Sequence, residues 1–191
     1  MKELEERILR DGKVRPGDIL KVDIFLNHQI DTALMYDMAL EIKRLFGDEK
    51  PDRILTIEAS GIAVAVMAGY VMGLPVVFAK KSKSANVSDD VYSAEVYSYT
   101  HRSTNNIIVS KSYLKKGERV LIVDDFLANG AALEGLCSLI SQADAVPVGA
   151  AIAIEKAFQP GGERLRAKGL RVEALARIAS MSDDSLTFCE S

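Results

Sequence analysis

An α/β fold, a parallel sheet flanked by helices, is predicted for this 191-residue chain by three observations. Five short apolar runs, Ile54–Ile57, Val76–Ala79, Ile107–Ser110, Val120–Val123 and Val148–Ile154, read as buried strands. Helical segments follow the first and the fourth of them, and continuous apolar strands alternating with helices are the mark of a sheet covered on both faces. The fourth run ends in two adjacent carboxylates, Asp124 and Asp125, followed by an Asn-Gly turn and small residues. In such a sheet, ligands gather beyond the carboxyl ends of the strands.

Taken in chain order, Asp31 or Thr32 can cap a helix whose apolar positions Leu34, Met38, Ile42 and Leu45 share one face, with Gly47 ending it. Residues 59–79 carry no charge and are long enough to cross a bilayer. Gly73-Leu74-Pro75 punctuates them as a turn, so they divide into a buried helix, Gly61–Met72, and the strand Val76–Ala79. The Val- and Tyr-rich stretch 91–100 pairs with 106–112 as a hairpin. After the strand Val120–Val123, a helix runs to Gln142. There is no internal repeat, and the length suits one domain over 1–191.

Composition narrows the function classes. Hydrophobic content of 48% with 27% charged residues is that of a globular protein, and a net charge of −3 argues against generic binding to nucleic acid or to an anionic membrane. Cys137 and Cys189 supply neither a disulfide framework nor metal-ligand spacing. The charged start MKELEERILR is not a secretory signal, so a reduced cytoplasm is the expected compartment, with no membrane.

The chemistry points to a phosphorylated sugar. A helix N-terminus has unpaired amides and partial positive charge, which suits a phosphate at the loop Ala128, Asn129, Gly130, Ala131 and Ala132. The acids suit ribose hydroxyls, a developing sugar cation or a magnesium ion. Glu58-Ala59-Ser60-Gly61 repeats the strand-to-helix arrangement, although a Ser-Gly turn before a helix is usually only a cap. Lys80-Lys81-Ser82-Lys83 reads as a solvated basic loop or as a cationic lid, and Lys156 as a surface charge or as a group facing a base. Phe158 is equally suited to the core or to a base, and Asn27-His28 to a turn or cap.

The segment 120–132 resembles the phosphoribosyl-pyrophosphate (PRPP) signature of the type I phosphoribosyltransferases. The resemblance implies that family's fold, with a small hood and a mobile hairpin loop. It implies that Asp124 and Asp125 meet the ribose hydroxyls, that residues 128–132 wrap the 5-phosphate, and that Ser60, Gly61 and Lys81 (Lys80 second) meet the pyrophosphate. Leu20-Lys21-Val22-Asp23, followed by Phe25-Leu26-Asn27-His28-Gln29-Ile30-Asp31, is similar to the base-recognition hood of the family's xanthine-using bacterial branch. That likeness continues through residues 92–99 to the last apolar strand. It implies that residues 1–31 and C-terminal residues form the hood and that Leu20, Asn27 and Lys156 contact the purine. The implied reaction is transfer of 5-phosphoribosyl from PRPP to xanthine in purine salvage, with Mg2+ carried by PRPP, no direct protein ligand to the metal, and a homodimer as the assembly.

One position departs from related 6-oxopurine enzymes, which place an aspartate three residues after the second acid; here it is Ala128. Xanthine is a more acidic purine, with less need of an enzymic base. Transfer to hypoxanthine, guanine or adenine is the alternative within the family. A PRPP-sensing regulator is the alternative outside it, and it would need a basic DNA-reading module that Met1–Arg15 is too short to supply.

Overall fold

The computed structural model describes residues 1–81, 90–98, 103–182 and 184–190. Its elements are α1 (Lys2–Asp11), a ribbon of β1 (Lys13–Arg15) and β2 (Ile19–Lys21), a π-helical turn (Asp23–Asn27), α2 (Thr32–Phe46), β3 (Arg53–Ile57), α3 (Gly61–Met72) and β4 (Val76–Ala79). There follow a hairpin of β5 (Val91–Ser98) and β6 (Ser103–Ser110), then β7 (Arg119–Leu127), α4 (Ala131–Gln142), β8 (Val146–Lys156), α5 (Gly161–Ala167), β9 (Val172–Met181) and β10 (Leu186–Phe188).

The main sheet is ordered β10-β9-β8-β7-β3-β4. The four pairings from β9 to β4 join parallel strands, and β10 is an antiparallel edge. Along β7 the side chains divide two cores. Leu121 and Val123 join Phe25, Phe46, Met38 and α3 on one face, while Val120 and Ile122 join Leu133, Leu136 and Leu165 on the other. Phe126 then packs with the first core and Leu127 with the second, so the alternation changes parity across the acid pair. That slip takes Asp124 and Asp125 out of the regular in-out pattern.

The helix capped by Asp31 forms as expected, with Asp31 Oδ1 accepting from the Leu34 amide at 3.2 Å. The helix Gly61–Met72 and the strand Val76–Ala79 also have the predicted bounds. Three differences stand out. The acids lie within β7, which pairs with β8 through Leu127, rather than beyond a strand ending at Val123. The run Ile107–Ser110 pairs in the hairpin as expected, but it is not a strand of the main sheet, which it meets through a bridge between Lys80 and Ile108. The sheet also gains β9 and β10, whose alternating half-polar residues carry no continuous apolar run. The hairpin's predicted residues 99–100, and Ser82 and Lys83 of the basic loop, fall outside the described residues.

The chain's path places the site. From β3 it crosses through α3 to β4 on one side; from β7 it crosses through α4 to β8 on the other, and the two helices cover opposite faces. The pairing of β3 with β7 ends at Leu55↔Ile122. A crevice therefore opens at the carboxyl ends of these strands, where the winding direction reverses, and such a switch point is where α/β sheets bind ligands.

Candidate active site

Two strand-to-helix loops flank this crevice. After β3, residues 58–60 lead into α3, and the peptide joining Glu58 and Ala59 is cis. After β7, residues 128–130 lead into α4, with Gly130 turning through φ +85°. A Cβ on Gly130 would lie 3.1 Å from the Cα of Gly161, so the loop packs too closely for a side chain there. The outer side of the loop is pinned by α5: Gly161 N donates to Ala128 O at 3.1 Å, and an Arg164 amino group donates to Asn129 O at 2.7 Å. Asn129 Oδ1 accepts from Ala131 N at 3.1 Å and shapes the turn from within.

Between the loops lies a cleft of about 520 Å³. Ser60, Gly61, Lys81, Asp124, Asp125, Asn129, Ala131 and Ala132 all line it, and Glu58 joins them. Val96, Tyr97 and Asn105 of the hairpin form another wall. Ser60 makes no side-chain cap bond to α3. Glu58 Oε1 accepts from the Lys81 amide at 2.6 Å, which ties the end of β4 to the loop after β3.

Asp124 is 3% exposed, and its Oδ1 accepts from Asp125 N at 3.0 Å. Burial pushes its carboxyl well above the usual aspartate range, and the neighbouring charge of Asp125 adds to the rise. Asp125 is also raised by burial, held back by side-chain hydrogen bonds from Asp124 and from Asn27. The pair thus retains protons to higher pH than solvated aspartates, as adjacent buried acids must.

The other predicted contacts stand to one side of this cleft. Asn27 ends the π-helical turn and does not line the cleft, although it helps lower the pKa of Asp125. Lys156 ends β8, donates to Asp18 O at 2.6 Å and lies 5.9 Å from the ring centroid of Phe126. Burial lowers its ammonium pKa, against the raising effect of Asp18. Leu20, in β2, is buried. Glu155, adjacent to Lys156, is turned away: its carboxylate takes two bonds from Arg166, at 2.6 and 2.8 Å, and one from Arg177 at 3.0 Å. Burial works to raise its pKa, but the arginines outweigh it and the net shift is downward.

Sequence reasoning missed Thr56, whose only signal was a hydroxyl within the apolar run Ile54–Ile57, and the Asp18 carbonyl, for which there was no signal. It also gave no role to Phe126, which follows the acid pair.

The deciding likeness is to a family model for the phosphoribosyl transferase domain, which matches residues 21–171. The chain belongs to the phosphoribosyltransferase family. A xanthine phosphoribosyltransferase of Limosilactobacillus fermentum is 52% identical over 188 residues, covering 98% of this chain and 96% of the relative. One from Bacillus cytotoxicus is 53% identical over 190 residues, covering 100% and 96%. Among solved structures, an adenine phosphoribosyltransferase from Rhodothermus marinus superposes with a TM-score of 0.75 at 21% identity, covering 93% of this chain and 99% of that one. The enzyme from Giardia lamblia complexed with 9-deazaadenine gives 0.77 at 20% identity, covering 91% and 97%. At such identities, these two structures establish the type I fold and nothing finer.

Proposed function

We propose that this phosphoribosyltransferase transfers 5-phosphoribosyl from PRPP to xanthine, giving xanthosine 5′-monophosphate and pyrophosphate. The observation that carries this reading is the meeting of Asp124 and Asp125 with both helix-entry loops in one cleft at the switch point. Two N-terminal helix ends set across an acid pair match a ligand with a phosphate at each end and a sugar between. The choice of base is supported by the full-length likeness to xanthine phosphoribosyltransferases.

In this reading, Ala128, Asn129, Gly130, Ala131 and Ala132 surround the 5-phosphate, while Ser60, Gly61 and Lys81 meet the pyrophosphate. The acids hold the ribose hydroxyls and favour positive charge that develops on the sugar as the bond to pyrophosphate breaks. Leu20, Asn27 and Lys156 receive the purine: the Asn27 amide can both donate and accept, and the Lys156 cation favours carbonyl oxygens or an anionic ring over the amine of adenine. Ala128 supplies no base, and xanthine, a more acidic purine, can arrive partly as an anion that has already lost its ring proton to solvent, with less need of an enzymic base.

Mg2+ enters as part of the substrate, carried on PRPP. Mg2+ on PRPP commonly keeps water and substrate oxygens as its ligands, and no direct protein ligand is assigned to it. Bound there, it offsets the charge of the departing pyrophosphate. No helix of the described residues is long and apolar enough to cross a membrane. A cytoplasmic homodimer, folded as one domain with residues 1–31 in the hood, completes the proposal.

The test is turnover with PRPP and Mg2+ across xanthine, hypoxanthine, guanine and adenine. Xanthine is expected to give the highest kcat/KM. Adenine ahead of xanthine overturns the roles of Asn27 and Lys156, and no release of pyrophosphate with any base overturns the reaction.

A further inference from the structure

Thr56 is 0% exposed in the interior of β3, and its hydroxyl has no hydrogen-bond partner within the protein. A valine of almost the same shape would fill this place without burying an unmet donor, so the hydroxyl calls for a reason. Its surroundings supply one. A Cβ built on Gly61 would sit 2.3 Å from Thr56 Oγ1 and 2.5 Å from Asp124 Oδ1. The hydroxyl and the carboxylate therefore converge on one small space, kept open because residue 61 has no side chain. We infer that Thr56 is a positioning residue for Asp124, its hydroxyl donating to Oδ1 to hold the carboxylate toward the ribose site during turnover.

Three features support this assignment. Asp124 Oδ1 takes a bond from the Asp125 amide, and a carboxylate oxygen has room for a second donor. The β-branched threonine is stiff at χ1, so it is suited to hold a neighbour in place. The charged groups sharing this cleft are Asp125 on the same strand, Glu58 after β3 and Lys81 after β4; α3 carries no charged residue, and β8 presents Ile152 beside Asp124. Apart from Lys81, these groups oppose the ionised form of Asp124. A hydroxyl donor favours it.

The inference rests on the proposed transfer reaction, and wild-type turnover tests that reaction separately. Thr56→Val and Thr56→Ser are compared with wild type in thermal stability, kcat, KM for xanthine and the pH at which activity falls on the acid side. Thr56→Val is expected to fold at least as stably, lose about tenfold or more in kcat with KM for xanthine little changed, and lose activity at higher pH than wild type, as removal of a bond to a charged group predicts. Thr56→Ser, which keeps the hydroxyl, is expected to restore most of kcat and the wild-type acid limb. Carbon-13 NMR of the Asp124 carboxyl with PRPP and Mg2+ bound and no base present reads the same shift independently of turnover. A Thr56→Val enzyme with wild-type kcat, acid limb and Asp124 titration overturns the inference, and so does equal loss in both variants, which would assign the effect to packing.

Discussion

The side chain of Asn27 acts on the carboxyl of Asp125 and helps hold its pKa down against burial. A residue of the N-terminal turn, assigned to the base, thus influences an acid assigned to the ribose, although 98 positions separate them in the sequence. Asn27→Ala removes both the proposed base contact and this influence on Asp125. It is expected to raise KM for xanthine about tenfold, equivalent to about 1.4 kcal/mol, and to lower kcat as well. Steady-state kinetics checks this, and an unchanged KM would separate Asn27 from base recognition.

Asp125→Asn retains the shape of the side chain and its capacity for hydrogen bonding but removes its charge. A loss in kcat on the order of 10²–10³ is expected, the scale of removing one electrostatic contact to a transition state. Calorimetry should still register base binding in the presence of PRPP. Wild-type turnover in this variant would end the assignment of the acids.

Asp124 makes the site costly to the fold. A carboxyl with its folded pKa raised above the unfolded value contributes stability that is fully present below the unfolded pKa, about 3.9, and is lost as pH rises through the folded value. At pH 7 the ionised group therefore opposes folding. Asp124→Asn should raise Tm by a few degrees, each 1 kcal/mol being worth roughly 2–4 °C at this size, while abolishing most activity. The gain should shrink in acid. Scanning calorimetry at pH 7 and pH 4 provides the comparison, and a lower Tm at pH 7 refutes it.

Lys156→Ala should chiefly alter the choice of base. Loss of the ammonium removes the group that favours carbonyl oxygens, and with it the bond to Asp18 O that fixes the β1–β2 turn. The expected result is a higher KM for xanthine and a narrower margin over adenine in a competition assay. A margin that widens contradicts the role.

Glu155 makes the opposite prediction to Asp124. Its buried carboxylate is matched by Arg166 and Arg177, so Arg166→Leu leaves charge poorly compensated and should cost about 3 kcal/mol. Because the folded pKa of Glu155 is lowered, its stabilisation is present above the unfolded value, about 4.3, and is lost as pH falls through the folded one. The deficit should thus be largest near neutrality and narrow in acid. Urea unfolding at the two pH values measures it.

Local chemistry made much of this protein legible in advance. Continuous apolar runs could only be buried strands, so β3, β4, β7 and β8 were readable, and caps and small residues marked α2, α3 and α4. The acid pair and its small-residue loop are contiguous, so their meeting was written in the order of the chain. Elements without such a signature escaped. In α1 only Leu4 and Ile8 are buried among many charges, β9 alternates buried and polar positions, and α5 is seven residues long. Their places are set by what they pack against.

Tertiary structure alone decided which side chains at the strand ends reach the site. Glu155 and Lys156 are neighbours, yet arginines from α5 and β9 draw one carboxylate into a structural ion pair while the lysine reaches the Asp18 carbonyl. Thr56 and Asp124 lie on different strands and converge only because Gly61 leaves space between them. Periodicity and turn chemistry act over a few residues and are legible in the chain's own order; convergence of distant groups depends on how elements pack, which no local pattern encodes.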